Sequence, residues 1–248
     1  MIYFPLGIIA TAMGTVLLPT FSGHAAERDQ ASMRATIAHA LRHLIFIMVP
    51  AAFGLLALAP WIIETIFEWN GDFDAQSSLL SARALRFYAP GLVVFSAAKV
   101  FVPAFYSMQD TRTPVRIGLC TVALNLALNL VLILVLPTYW KHAGMALSTV
   151  VSEAVGMAAL GGMLARRVPG IAWRGVFGGL ARSLAIGAPM AVAAWLVAGH
   201  ARPLLAMHVP AKIAQVAALA LSVGAGAAVY FILALGLRMP EPREIRAA

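Results

Sequence analysis

Five polar side chains stand inside otherwise apolar stretches, and through them this chain could do chemistry: Lys99, Asn125, Asn129, Thr149 and Glu153. Lys99 carries the strongest implication. A charge at the centre of a bilayer costs at least about 2.5 kcal/mol, so its ammonium should face a cavity or a partner. The competing reading is that its long stem snorkels to an interface. Glu153 is similarly placed in a later apolar run. It is either an ion-pair partner for Lys99 or one position on a hydrated helix face. Asn125 and Asn129 are spaced i, i+4 and share a helical face with Thr121 one turn earlier. Membrane amides commonly bridge helices for about 1 kcal/mol. Alternatively their carbonyl oxygens, with Thr149 or Ser148 from the next run, form a site for a small monovalent cation. Both readings stay open on the sequence.

Other chemistry is poorly represented. There is no Gly-Lys phosphate loop, no nucleophile elbow and no HExxH motif, so the expectation is a protein that is not an enzyme. His39 and His43 have the i, i+4 spacing of a helical metal pair, but no third ligand of suitable type lies nearby, and no metal or organic cofactor is expected. The single cysteine, Cys120, excludes a disulfide within the chain.

The elements that must hold these residues follow from composition. Hydrophobic residues make up 61% of the chain and charged residues 11%, where a soluble domain carries about 25% charged residues. A surface so poor in charge suits a lipid solvent. Crossing the hydrocarbon takes about 20 apolar residues, and seven runs qualify: 4–22, 43–67, 87–107, 115–137, 143–165, 177–199 and 213–237. The expected fold is therefore an all-α integral membrane bundle of seven helices over 1–237, followed by a tail at 238–248. The third run is the weakest, interrupted by Lys99 and bracketed by Pro90 and Pro103. The stretch 75–87 before it reads either as an amphipathic helix on the membrane surface or as an extension of the run.

The charges fix an orientation. The net charge of +8 falls in short clusters between runs rather than in a stripe, which argues against nucleic acid and for membrane topology. One side collects twelve basic residues, from Arg28, Arg34 and Arg42 through Arg112 and Arg116 to Arg238, Arg243 and Arg246, and the other only five. The richer side should be cytoplasmic, which puts the carboxyl end inside and the amino end of a seven-span chain outside. No basic residue precedes the first run, so nothing local explains an external amino end. The expectation is that the chain is the second part of a longer protein, with Met1 an internal residue or a mis-assigned start; a secretory signal is the poorer reading.

Two stretches resemble a known family. They are FPLGIIATAMGTVLLPTFS at 4–22 and KVFVPAFYSMQDTRTPVRIGLCTVALNLALNLVLI at 99–133, the second followed by KHAGMALS at 141–148. They are similar to the MurJ (MviN) lipid II flippases of the multidrug/oligosaccharidyl-lipid/polysaccharide exporter superfamily, and the most specific string is AFYSMQDTRTPVR. Members have fourteen spans in two lobes, and this chain resembles the second lobe. The resemblance implies a bacterial inner-membrane transporter that moves lipid II, the lipid-linked peptidoglycan precursor, to the outer leaflet by alternating access. It implies as partners that lipid, the surrounding membrane lipid and a missing amino-terminal lobe, without which this fragment is expected to be inactive. It places Tyr3, Pro5, Gly7 and Lys99 along the substrate cavity, with Tyr3 standing where members have an acidic or amide residue. It makes Asp110, Arg112, Thr113 and Pro114 a cytoplasmic hinge or gate, in which Asp110 caps the following helix. The last two spans would form a groove for the polyprenyl tail. Coupling to a monovalent cation or to the membrane potential is left open. Half of another polysaccharide-lipid or drug exporter, or a non-transporting interaction subunit, are the alternative readings.

Overall fold

The computed structural model describes residues 3–68 and 74–242; side chains at 3–6, 8–12 and 75 lie outside the description. Helices follow one another in the order α1 (Tyr3–Ala26), α2 (Gln30–Phe67), α3 (Ala75–Tyr88), α4 (Gly91–Ser107), α5 (Arg112–Val135), α6 (Lys141–Arg167), α7 (Trp173–Ala206) and α8 (Ala211–Gly236), with a 3₁₀ turn at Thr138–Trp140 before α6. Among the described residues there is no strand.

Five of these segments are long and apolar enough to cross a membrane: α2, α5, the stretch from Thr138 through α6, α7 and α8. The bent pair α3–α4 makes six if it counts as one span. The seven-span expectation is thus met only in part. Its first run, 4–22, falls in α1, where the side chains at 4–6 and 8–12 lie outside the description.

Boundaries differ from expectation where polar residues lengthen helices beyond the lipid. The connection expected at 23–42 is mostly helix, because Asp29 accepts hydrogen bonds from the Ala31 and Ser32 amides, 3.0 Å each, and so starts α2 thirteen residues early. The resulting 38-residue helix is far longer than a membrane needs. Likewise α7 runs through Pro203, and the long connection expected at 200–212 shrinks to 207–210. The stretch 75–87 is a helix of its own, capped by Asp74 on the Ser77 amide at 2.8 Å. It meets α4 at 45°, a bend at Pro90, which has no amide hydrogen to continue the ladder.

Two packing regimes result. The larger core joins α1, α2, α4 and α6 through residues such as Phe21, Leu44, Val100, Phe105 and Leu160. The second joins α2, α7 and α8 through small residues: Ala194, Ala214, Ala218 and Ala234 are almost wholly buried. A Cβ built on Gly226 would lie 3.2 Å from that of Ala194. Lipid offers no hydrophobic drive between helices, so such small residues gain their stability from close backbone approach. Helix α5 packs chiefly on α6 and leaves Leu119, Val122, Leu126 and Leu134 exposed. A patch of that size is costly in water and ordinary against lipid.

Candidate functional site

Helix α4 ends where Gln109 takes a left-handed conformation (φ 59°), with the Asp110 amide donating back to the Phe105 carbonyl at 3.0 Å. The chain then restarts at once as α5. Asp110 makes the restart: one carboxylate oxygen accepts from the Thr113 amide (3.0 Å) and the other from the Thr113 hydroxyl (2.8 Å). Arg167 at the end of α6 forms an ion pair with the same carboxylate at 3.1 Å. The Thr113 bonds, chiefly, and the Arg167 guanidinium hold the Asp110 carboxyl below the usual carboxylate range. Pro114 is buried in the first turn of α5, while Arg112 is exposed. Of the four residues expected at the hinge, Asp110 and Thr113 bond one another directly, and Arg167 is the participant that spacing did not reveal.

Beside this turn lies a cavity of about 670 Å³, walled by the α1–α2 junction, including His24, Arg28 and Asp29, and by Tyr106 and Gln109 at the end of α4. Lys99 is on the same face of α4 as Tyr106, two helical turns away. It is half-buried and makes no hydrogen bond or ion pair among the described residues. The pairing with Glu153 considered from sequence does not form. Of the remaining cavity candidates, Gly7 is exposed, and the side chains of Tyr3 and Pro5 lie outside the described residues.

The amides on α5 meet α6 as their spacing allows. Asn129 donates to the Asn125 carbonyl oxygen (3.0 Å), and the Ser148 hydroxyl donates to the Asn129 carbonyl oxygen (2.5 Å). The Asn125 amide reaches Ser148 (3.4 Å) and Thr149 (3.3 Å). Asn125, Asn129 and Thr149 therefore belong to one polar network. Its geometry is that of a bridge between helices, with both amide oxygens already accepting bonds. No carboxylate joins it among the described residues.

Sequence reading missed two further clusters. At the far end of α2, Glu64 holds Arg202 of α7 through two bonds of 2.5 and 2.6 Å and accepts a third from Gln215 of α8 at 3.1 Å. At the near end, Arg42, Ser183 of α7 and Glu241 each bury an atom that finds no hydrogen-bond partner. Arg202 and Arg42 both looked like topology markers between runs, because no one-dimensional signal joins residues so far apart in the chain.

Apolar helices exposing their side chains outward, and polar groups gathered into a few internal networks, define a multi-pass α-helical membrane protein. The chain belongs to the lipid II flippase MurJ family, whose profile matches residues 1–235. A probable lipid II flippase MurJ of Bdellovibrio bacteriovorus is 33% identical over 167 residues, covering 67% of this chain and 31% of that protein. One from Rickettsia prowazekii is 36% identical over 146 residues, 59% of this chain and 28% of the relative. The Lipid II flippase MurJ of Burkholderia cenocepacia is 33% identical over 145 residues, 58% and 27%. A solved lipid II flippase MurJ in an inward closed conformation has the same fold, with a TM-score of 0.65 at 19% identity over 95% of this chain and 45% of the other. The matches span less than a third of the relatives' length and under half of the solved chain.

Proposed function

We propose that this chain is the carboxyl-terminal lobe of a lipid II flippase, which carries the lipid-linked peptidoglycan precursor from the inner to the outer leaflet by alternating access. The observation that carries this reading is a family match over nearly the whole chain, joined to a fold likeness that covers under half of a flippase. A polar headgroup needs a path of its own across about 30 Å of hydrocarbon. Half-buried and unbonded, Lys99 is a cation this lobe offers to such a path. In the same reading Tyr3, Pro5 and Gly7 line the cavity, and the Asp110–Pro114 turn is a cytoplasmic hinge whose Arg167 clamp changes with state. Residues 1–237 form the lobe, with an external amino end; 238–248 are a cytoplasmic tail. An amino-terminal lobe is the required partner, because one lobe alone encloses no path.

The test is complementation in a flippase-depleted bacterium. This chain joined to an amino-terminal lobe should support growth, and the chain alone should not. Lys99→Ala in the joined protein should abolish growth at normal expression. Full growth of that variant would remove Lys99 from the mechanism, and growth on the chain alone would overturn the two-lobe reading.

A second reading concerns the α5–α6 network as a monovalent cation site. In its favour are four side-chain oxygens converging from adjoining helices.

A further inference from the structure

The tail does not leave the bundle at the end of α8. Arg238 adopts a left-handed conformation (φ 53°), costly for a residue with a side chain, and the Met239 amide donates to the Ala234 carbonyl at 3.0 Å. This turn lays the chain against α2 and α7. Met239 is buried against Phe46, Ile186, Met190 and Tyr230, and Glu241 is only 3% exposed. Its carboxylate approaches Gly179 of α7: a Cβ there would lie 3.9 Å from Glu241 Oε1 and 3.8 Å from Arg42 Cγ. Two opposite charges thus flank one glycine without an ion pair within 4 Å, and both Glu241 Oε2 and Arg42 Nε are buried and unbonded.

Arg42 also lines a cavity of about 420 Å³, with Thr36 and His39 from α2 and Ala172 and Gly175 from the start of α7. Arg42 is the last arginine of α2 before the apolar run from Leu44 to Ile63. That places it at the depth where hydrocarbon gives way to headgroups. One turn further along α2 from Arg42, Phe46 packs edge-on against Phe231 of α8 at 5.9 Å, and Phe231, Leu235 one turn on, and Ile47 are exposed. A partly desolvated guanidinium with no carboxylate is unstable alone, and its planar fork matches phosphate oxygens. We propose that the Arg42 cavity binds the phosphate of an anionic membrane lipid, with Glu241 of the folded-back tail as the internal competitor for the same guanidinium. The adjoining apolar surface and the depth of Arg42 favour a lipid headgroup over a soluble anion.

The test reads lipid retention and is independent of flipping. The chain is reconstituted with equal amounts of phosphatidylglycerol and phosphatidylcholine, extracted, and its bound lipid counted by native mass spectrometry. Phosphatidylglycerol should be enriched on the unaltered chain. Arg42→Gln should cut that enrichment about five- to tenfold, the scale of losing charge-assisted phosphate bonds, and Arg42→Lys should recover part of it. Glu241→Gln should raise it. Arg174→Gln, which alters a basic residue outside the cavity lining, should leave it unchanged. Melting temperatures confirm that each variant is folded, and the Glu241→Gln gain cannot arise from unfolding. Equal enrichment in Arg42→Gln, or an equal loss in Arg174→Gln, overturns the site. Displacement by millimolar inorganic phosphate overturns the lipid assignment in favour of a soluble anion. An unchanged Glu241→Gln removes the competitor.

Discussion

The same three helices, α2, α7 and α8, end in two opposite ways. At one end Glu64 bonds both Arg202 and Gln215, and Lys212 donates to the Glu68 carbonyl; among the described residues the buried side-chain atom there without a partner is Gln215 Oε1. At the other end Arg42 and Glu241 both come close to Gly179 without bonding one another, and Ser183 also buries an unpartnered hydroxyl. Between the two ends the buried apolar side chains form two clusters, one around Phe46, Met190 and Tyr230 and one around Leu58, Ala194 and Ala198. A closed set of charges fixes a geometry, whereas an open set keeps a charge ready for a ligand.

The sharpest way to break this comparison is Glu64→Ala. It strands a guanidinium in a site 37% exposed, and we expect a loss of about 2 kcal/mol, below the 3–5 kcal/mol of a fully buried pair because solvent screens part of it. Thermal unfolding in detergent reads this, with Arg42→Gln as the counterpart that should leave the melting point nearly unchanged. An equal drop in both would mean that the open end is a clasp as well.

Between the two ends, the Tyr230 hydroxyl donates to the Phe46 carbonyl at 3.0 Å. Tyr230→Phe should cost about 1 kcal/mol in the same assay. No measurable loss would show that the ring rather than the hydroxyl positions the tail. On α5, Asn129→Ala should cost about 0.6 kcal/mol as a helix bridge. If the network also holds a cation, sodium should raise the melting point of the unaltered chain and not of this variant; no sodium effect in either retires the cation reading.

The smallest effect is at the Asp110 turn. Its carboxyl is held below the ordinary value, so the carboxylate contributes stability above the unfolded value of about 4, and that contribution disappears as pH falls through the lower folded value. Protection of the Thr113 amide, its exchange rate relative to that of an unfolded chain at the same pH, should therefore fall in acid, and Asp110→Asn should remove that step. A pH-independent protection factor would place the restart of α5 in the backbone alone.

Much of this was legible in the sequence because it is local. The apolar runs, the Asp110 cap with Thr113 three residues on, and the shared face of Asn125 and Asn129 all follow from helical spacing. The early start of α2 was legible too, in Asp29 before Gln30, but hydropathy was the wrong gauge: it measures where lipid ends, not where hydrogen bonding ends. Arg42 and Arg202 were read as markers of sidedness, which left their partners out of view.

The sequence by itself determined an α-helical membrane protein, its family and the contents of the α5–α6 network, because period and apolarity act within one or two turns. Only the tertiary structure decided that α3 breaks from α4, that Glu64 meets Arg202, and that Glu241 returns to lie beside Arg42. Those outcomes depend on how long helices cross, and in lipid the crossing is set by which small residues let two backbones approach.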